Sequence, residues 1–129
     1  MSLRISIADD SEDARRTLAK LLTMLGHSVV SCAADGAELV GHVLQLHPDL
    51  LVTDLLMPRL DGLQAIGEIW RQRPVACIVV SGHSDLCHVS RVSSESFELL
   101  LKPASAESIQ AAIHLACVRF GQFQALRRE

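Results

Sequence analysis

From Leu3 the chain alternates apolar and polar positions through Leu3-Arg4-Ile5-Ser6-Ile7-Ala8 and then ends in the acidic pair Asp9-Asp10. A period of two marks a strand, so this segment predicts a first strand. The period then changes. Leu18, Leu21, Leu22 and Leu25 recur at helical spacing, Ser11 is a suitable cap, and Glu12 and Asp13 put negative charge in the first turn, where it suits the helix dipole. Gly26 is a natural stop. Val29-Val30-Ser31-Cys32-Ala33 predicts a second strand and Asp35-Gly36 a turn. Leu39, Val40, Val43, Leu44 and Leu46 predict a second helix, ended by His47-Pro48.

Asp49 to Asp54 predicts a third strand, whose Leu50-Leu51-Val52 run is apolar throughout, as expected of a strand covered on both faces. Met57-Pro58 and Asp61-Gly62 make the following loop. Leu63, Ile66, Ile69 and Trp70 give one face of a third helix, broken by Pro74. Val75 to Val80 is the fourth strand, residues 84–93 a fourth helix thinned by serines, and Phe97 to Leu101 the fifth strand. Lys102-Pro103 follows, then a long last helix from Ser105. Short strands separated by helical segments predict βαβ units, an α/β class and a parallel sheet with right-handed crossovers.

Within the last helix Ile109, Ile113, Ala116, Phe120 and Phe123 recur at heptad spacing. Residues 1–118 are expected to form one domain, and 119–129 the protruding end of this helix. Two phenylalanines there need cover. That cover is the domain itself, a dimer seam or the start of a coiled-coil linker.

Composition narrows the class. The chain has 129 residues, enough for one domain with its own core. Hydrophobic residues are 49% and aromatics only 3%, so the core must be built from Leu, Val, Ile and Ala. A net charge of −3 offers no concentrated basic patch, so neither nucleic-acid binding nor a membrane surface is expected of this chain. No apolar stretch reaches the ~18–20 residues that span a bilayer. The four cysteines include no C-x-x-C pair, and thiols in apolar runs read as buried small hydrophobes of a cytoplasmic protein.

In an open parallel sheet, chemistry gathers at the carboxyl ends of the strands. Those ends carry Asp9-Asp10, Asp54, Ser81-Gly82 and Lys102-Pro103. Clustered carboxylates repel one another unless a cation joins them. Few carboxylates with open water positions suit Mg²⁺. An aspartate can also act as a nucleophile and hold a phosphoryl group. Lys102 can pair with a carboxylate before such a transfer and with the phosphoryl group after it, and Ser81 can donate a hydrogen bond to a phosphoryl oxygen. His83, Cys87 and His88 suggest a second metal site but lack a fourth ligand.

Five segments, in order, resemble the response-regulator receiver family of two-component signalling over essentially the whole chain: Ile7 to Asp10, Pro48 to Pro58, Asp61 to Leu63, Val79 to His83 and Leu100 to Pro103. The resemblance implies a flavodoxin-like doubly wound sheet of order 2-1-3-4-5 with five helices. It implies that Asp54 is the phosphoacceptor and that Asp9, Asp10, Asp54 and the Leu56 backbone carbonyl hold Mg²⁺. It further implies that Ser81 is the switch hydroxyl, that Lys102 binds the phosphoryl group and that the Lys102-Pro103 bond is cis. The donor would be a phosphohistidine on a sensor histidine kinase or a histidine phosphotransfer protein, and the face of the fourth helix, fifth strand and last helix would mediate a homodimer. Such a chain is a switch and not an enzyme, limited to its own phosphorylation and dephosphorylation.

The sequence also departs from the family. Leu99 stands where an aromatic residue is usual, Val89 to Phe97 is about one residue short, and His83 occupies a position that varies. Val118 to Arg128 resembles the junction into an ANTAR antiterminator domain, which gives the alternative of a receiver belonging to an RNA-binding antiterminator. A HAD-like phosphatase would need Asp-x-Asp in place of Asp9-Asp10. An unphosphorylated pseudo-receiver serving only dimerisation is the other alternative, and the complete set of acidic and basic site residues counts against it.

Overall fold

The computed structural model describes residues 2–82 and 97–128. Five strands, β1 (Arg4–Ala8), β2 (Ser28–Ala33), β3 (Leu50–Asp54), β4 (Ala76–Ser81) and β5 (Glu98–Leu101), form one sheet in the order β2-β1-β3-β4-β5, every neighbouring pair parallel. Four helices are described: α1 (Glu12–Met24), α2 (Gly36–Leu46), α3 (Gly62–Gln72) and α4 (Ala106–Arg128). The expected helix at 84–93, the shortened segment before Phe97 and the trio His83, Cys87 and His88 lie outside the described residues. The described helices therefore number four where the resemblance implies five. No helix among the described residues is long and apolar enough to cross a membrane.

The strand period explains the two cores. Leu50 and Val52 point to one face of the sheet, with Ile5, Ile7, Ile78, Leu22 of α1 and Ile109 of α4. Leu51 points to the other, with Val79, Leu39 of α2 and Ile66 and Ile69 of α3. β3 and β4 are buried along their whole length, as the unbroken apolar runs require. β2 is an edge strand, and Cys32 on it is exposed rather than buried. Cys77 on central β4 is the buried thiol expected of an apolar run, and desolvation holds it at a pKa of about 12.

Helix boundaries follow local chemistry. Ser11 caps α1, its side chain accepting from the Ala14 amide at 3.3 Å, and Gly26 takes a positive φ of 95° just beyond the helix end. The two Asp-Gly pairs read from sequence as turn and loop are in fact helix starts. Asp35 caps α2 by accepting from Glu38 N, and Asp61 forms a capping box with Gln64 at the start of α3. Each glycine is there for close approach. A Cβ on Gly36 would lie 2.0 Å from the Leu60 carbonyl oxygen, and one on Gly62 would lie 2.3 Å from that of Asp54.

The heptad-spaced residues of α4 are used inside the domain as far as they are described. Ile109, Ile113 and Ala116 are buried against the sheet, and Phe120 meets Trp70 of α3 edge-on at 5.9 Å between ring centroids. Arg119 donates to the Phe97 carbonyl at 2.7 Å and pairs with Glu98 at 3.2 Å.

Candidate functional site

The topology brings three strand tips together. β1 and β3 are adjacent and in register, Ala8 opposite Thr53, so Asp9, Asp10 and Asp54 emerge side by side. Oxygens of all three carboxylates lie within 4.8 Å of one another. Asp9 and Asp54 are buried and Asp10 is exposed. Asp9 is fixed by the turn into α1: its Oδ1 accepts from Ser11 N at 2.9 Å, and its carbonyl accepts from the Arg15 guanidinium at 2.7 Å. The Asp54 Oδ1 accepts from the Leu55 amide at 2.9 Å.

Lys102 arrives from the far side. β5 pairs with β4 up to Leu101 opposite Ser81, and the Lys102 amide then donates to the Ser81 carbonyl at 2.9 Å. The Lys102-Pro103 peptide is cis, as the resemblance implied. The ammonium lies 3.2 Å from Asp54 Oδ1 and 3.9 Å from Asp9 Oδ2. Burial, and next the neighbouring Asp9 charge, push the Asp54 carboxyl above its ordinary value; Lys102 and the Leu55 amide oppose them. Three carboxylates face one ammonium. That donor set, all oxygen and in excess of positive charge, fits a hard divalent cation.

Ser81 is fully buried at the tip of β4, and its hydroxyl donates to the Gly82 carbonyl at 3.1 Å instead of to a carboxylate. Leu56 lies two residues past Asp54 in the β3–α3 loop, on the exposed side of the tip. Leu99, in place of an aromatic, is partly buried against the α2–α3 core, which Phe97 joins as a fully buried member. Beside the carboxylates opens a cleft of about 390 Å³, lined by Asp9, Asp54 and Lys102 on one side and by Thr17, Leu18 and Leu21 of α1 on the other.

Two neighbours of the site carry no recognisable sequence signal for it. Asp35 and Arg59 form an ion pair between the start of α2 and the β3–α3 loop. In the sequence Asp35 reads as part of a turn and not as the cap of α2, and its partnership with a residue 24 positions away is not legible there.

Residues 5–114 match the response regulator receiver domain. The transcriptional regulatory protein PdtaR of Mycobacterium tuberculosis is 37% identical over 128 residues, covering 98% of this chain and 62% of PdtaR. The chain thus spans less than two thirds of that relative. A crystal structure of a response regulator receiver domain protein from Clostridium thermocellum superposes with a TM-score of 0.83 at 28% identity, covering 93% of this chain and 98% of that one. NtrX from Brucella abortus, crystallised in complex with ADP, gives a TM-score of 0.83 at 25% identity over 98% of this chain and 30% of NtrX. With the sheet order, the strand-tip carboxylates and the Lys102-Pro103 bond in place, the chain belongs to the receiver domain family of two-component response regulators.

Proposed function

We propose that Asp54 accepts a phosphoryl group from a phosphohistidine on a sensor histidine kinase or histidine phosphotransfer protein. The observation that carries this reading is the Asp54 carboxylate held among Asp9, Asp10 and Lys102 at the floor of an open cleft. An Asp54 oxygen would attack the phosphorus in line, the phosphorus–nitrogen bond would break, and the imidazole would leave with a proton. Asp9, Asp10, Asp54 and the Leu56 carbonyl would hold Mg²⁺, which when bound supplies positive charge to the phosphoryl oxygens. Lys102 would transfer its pairing from the carboxylate to the phosphoryl group.

The acyl phosphate carries roughly −1.5 to −2 charge in place of the about −1 of the free carboxylate, and it offers three acceptor oxygens. Ser81 would leave the Gly82 carbonyl to meet one of those oxygens, biasing the face made by β5 and α4. Leu101, Leu115 and Val118 are exposed on β5 and α4, which supports homodimerisation through this face. The domain would act as a switch without turnover of an external substrate, in a cytoplasmic setting.

A second reading is a receiver within a longer ANTAR antiterminator. Similarity to a transcriptional regulator over nearly the whole of this chain favours it. RNA binding would then belong to residues other than these, and the chemistry at Asp54 would be unchanged.

Acetyl phosphate with MgCl₂ should add one phosphoryl mass to the chain, and chelation of Mg²⁺ or Asp54→Asn should abolish it. Stoichiometric phosphorylation persisting in Asp54→Asn would reject Asp54 as acceptor. A mass unaffected in the wild type, with constant dimer affinity, would favour the pseudo-receiver.

A further inference from the structure

The β3–α3 loop leaves the sheet at Asp54, and on the Mg²⁺ reading above it would present the Leu56 carbonyl to a cation held by three carboxylates. It is tied down at both ends: Leu55 N donates to the Val80 carbonyl at 3.1 Å, and Gly62 N returns to the Leu55 carbonyl at 2.8 Å. Between these points the backbone makes a costly turn. Arg59 has a φ of 67°, and Leu60 N donates back to the Pro58 carbonyl at 2.8 Å across it. A three-residue turn with positive φ at its centre is strained, and a non-glycine residue persists there only where its surroundings hold it.

What holds it is on another element. Arg59 Nε lies 2.9 Å from Asp35 Oδ2, and Nη2 reaches the same oxygen. The Asp35 side chain is only 2% exposed, although that of Arg59 is 75% exposed. Its other oxygen, Oδ1, accepts from Glu38 N at 2.8 Å and caps α2. Next to it, Gly36 lets the Leu60 backbone press onto the first turn of α2, where any side chain would collide. A buried carboxylate with a single cationic partner fixes that partner firmly, since losing it leaves a buried charge unpaired.

We propose that Asp35 and Arg59 form a positioning clamp, which holds the β3–α3 loop so that the Leu56 carbonyl is set in advance for the divalent cation. Neither side chain touches the cation. They act on the loop backbone, as outer partners orient the ligands of a metal site. The inference rests on the Mg²⁺ reading proposed above and extends it to two residues outside the carboxylate cluster.

The test is calorimetric titration of the full chain with MgCl₂ and no phosphodonor, alongside thermal midpoints. Asp35→Asn keeps the α2 cap, and Arg59→Gly accepts the positive φ without strain. Both are expected to weaken Mg²⁺ binding about tenfold, and Arg59→Gly also to lower the midpoint, because Asp35 is left buried without its cation. Arg59→Lys, which keeps the charge, should recover most of the affinity. Wild-type Mg²⁺ affinity in both Asp35→Asn and Arg59→Gly overturns the clamp while leaving the phosphoacceptor reading intact. A wild-type chain that takes up no Mg²⁺ overturns both.

Discussion

The Lys102 ammonium stands 3.2 Å from Asp54 Oδ1 and 3.9 Å from Asp9 Oδ2, so one cation is shared by carboxylates from two different strands. On the proposed function it would compete with Mg²⁺ for the same oxygens before transfer and assist the phosphoryl oxygens during it. Lys102→Ala should bind Mg²⁺ about fivefold more tightly, corresponding to ~1 kcal/mol of relieved repulsion. The same variant should be phosphorylated by acetyl phosphate roughly a hundredfold more slowly at saturating Mg²⁺, the usual scale for losing one charge-stabilising donor. Calorimetry and initial rates read the two effects separately. Equal rates in variant and wild type would remove Lys102 from the transfer step.

Without a divalent cation, Asp54 should be a destabilising group despite Lys102. Burial, followed by the Asp9 charge, holds its folded value above the ordinary 3.8 against the opposing pull of Lys102. A carboxyl that is raised on folding binds its proton more tightly in the folded chain. The stability cost is therefore complete at pH above the folded value and disappears as pH falls below 3.8. At neutral pH and without metal, Asp54→Asn should melt higher than the wild type. Mg²⁺ at a hundred times its Kd should stabilise the wild type by about 2.7 kcal/mol and the variant far less. Scanning fluorimetry with and without Mg²⁺ checks both signs, and a metal-free variant that melts lower contradicts the assignment of burial as the dominant effect.

Ser81 stands at the tip of β4, and its carbonyl accepts from the Lys102 amide that follows β5. Its hydroxyl donates to the Gly82 carbonyl, a weak local contact that a phosphoryl oxygen can outcompete. Ser81→Ala should keep Mg²⁺-dependent phosphorylation, lose about 1 kcal/mol of stability, and weaken any dimerisation coupled to phosphorylation. Sedimentation of the treated and untreated variant reads this directly. Full coupling without the hydroxyl would show that the signal leaves the site by another route.

The strands and their tips were legible because burial imposes local patterns. The unbroken Leu50-Leu51-Val52 run lies between covered faces, and the residues at the strand ends converge as the parallel topology requires. Asp35-Gly36 and Asp61-Gly62 were misread as connections because Asp-Gly serves turns and helix starts alike. Only the approach of the Leu60 and Asp54 carbonyls shows why glycine opens each helix. Cys32 was misread because its apolar surroundings do not reveal that β2 is an edge strand. The pairing of Arg59 with Asp35 left no trace, since it depends on how two loops meet and on no period within either. The heptad spacing of α4 was ambiguous for a similar reason: the same spacing suits a partner helix or a sheet, and Ile109 to Phe120 face the domain.

Arg119 makes the last contact that follows from this arrangement. One guanidinium nitrogen donates to the Phe97 carbonyl at 2.7 Å and another lies 3.2 Å from Glu98 Oε2, so α4 is pinned to the entrance of β5, the strand whose far end presents Lys102. The two contacts differ in worth. The Phe97 carbonyl belongs to a residue buried in the core and loses a charged donor if Arg119 is removed, whereas the ion pair is partly open to solvent, with Arg119 40% exposed. Arg119→Ala should therefore cost about 2 kcal/mol, and Glu98→Gln less than ~1 kcal/mol. Denaturant unfolding of both variants measures the order. If Glu98→Gln proves the more damaging, the ion pair and not the carbonyl contact anchors the helix.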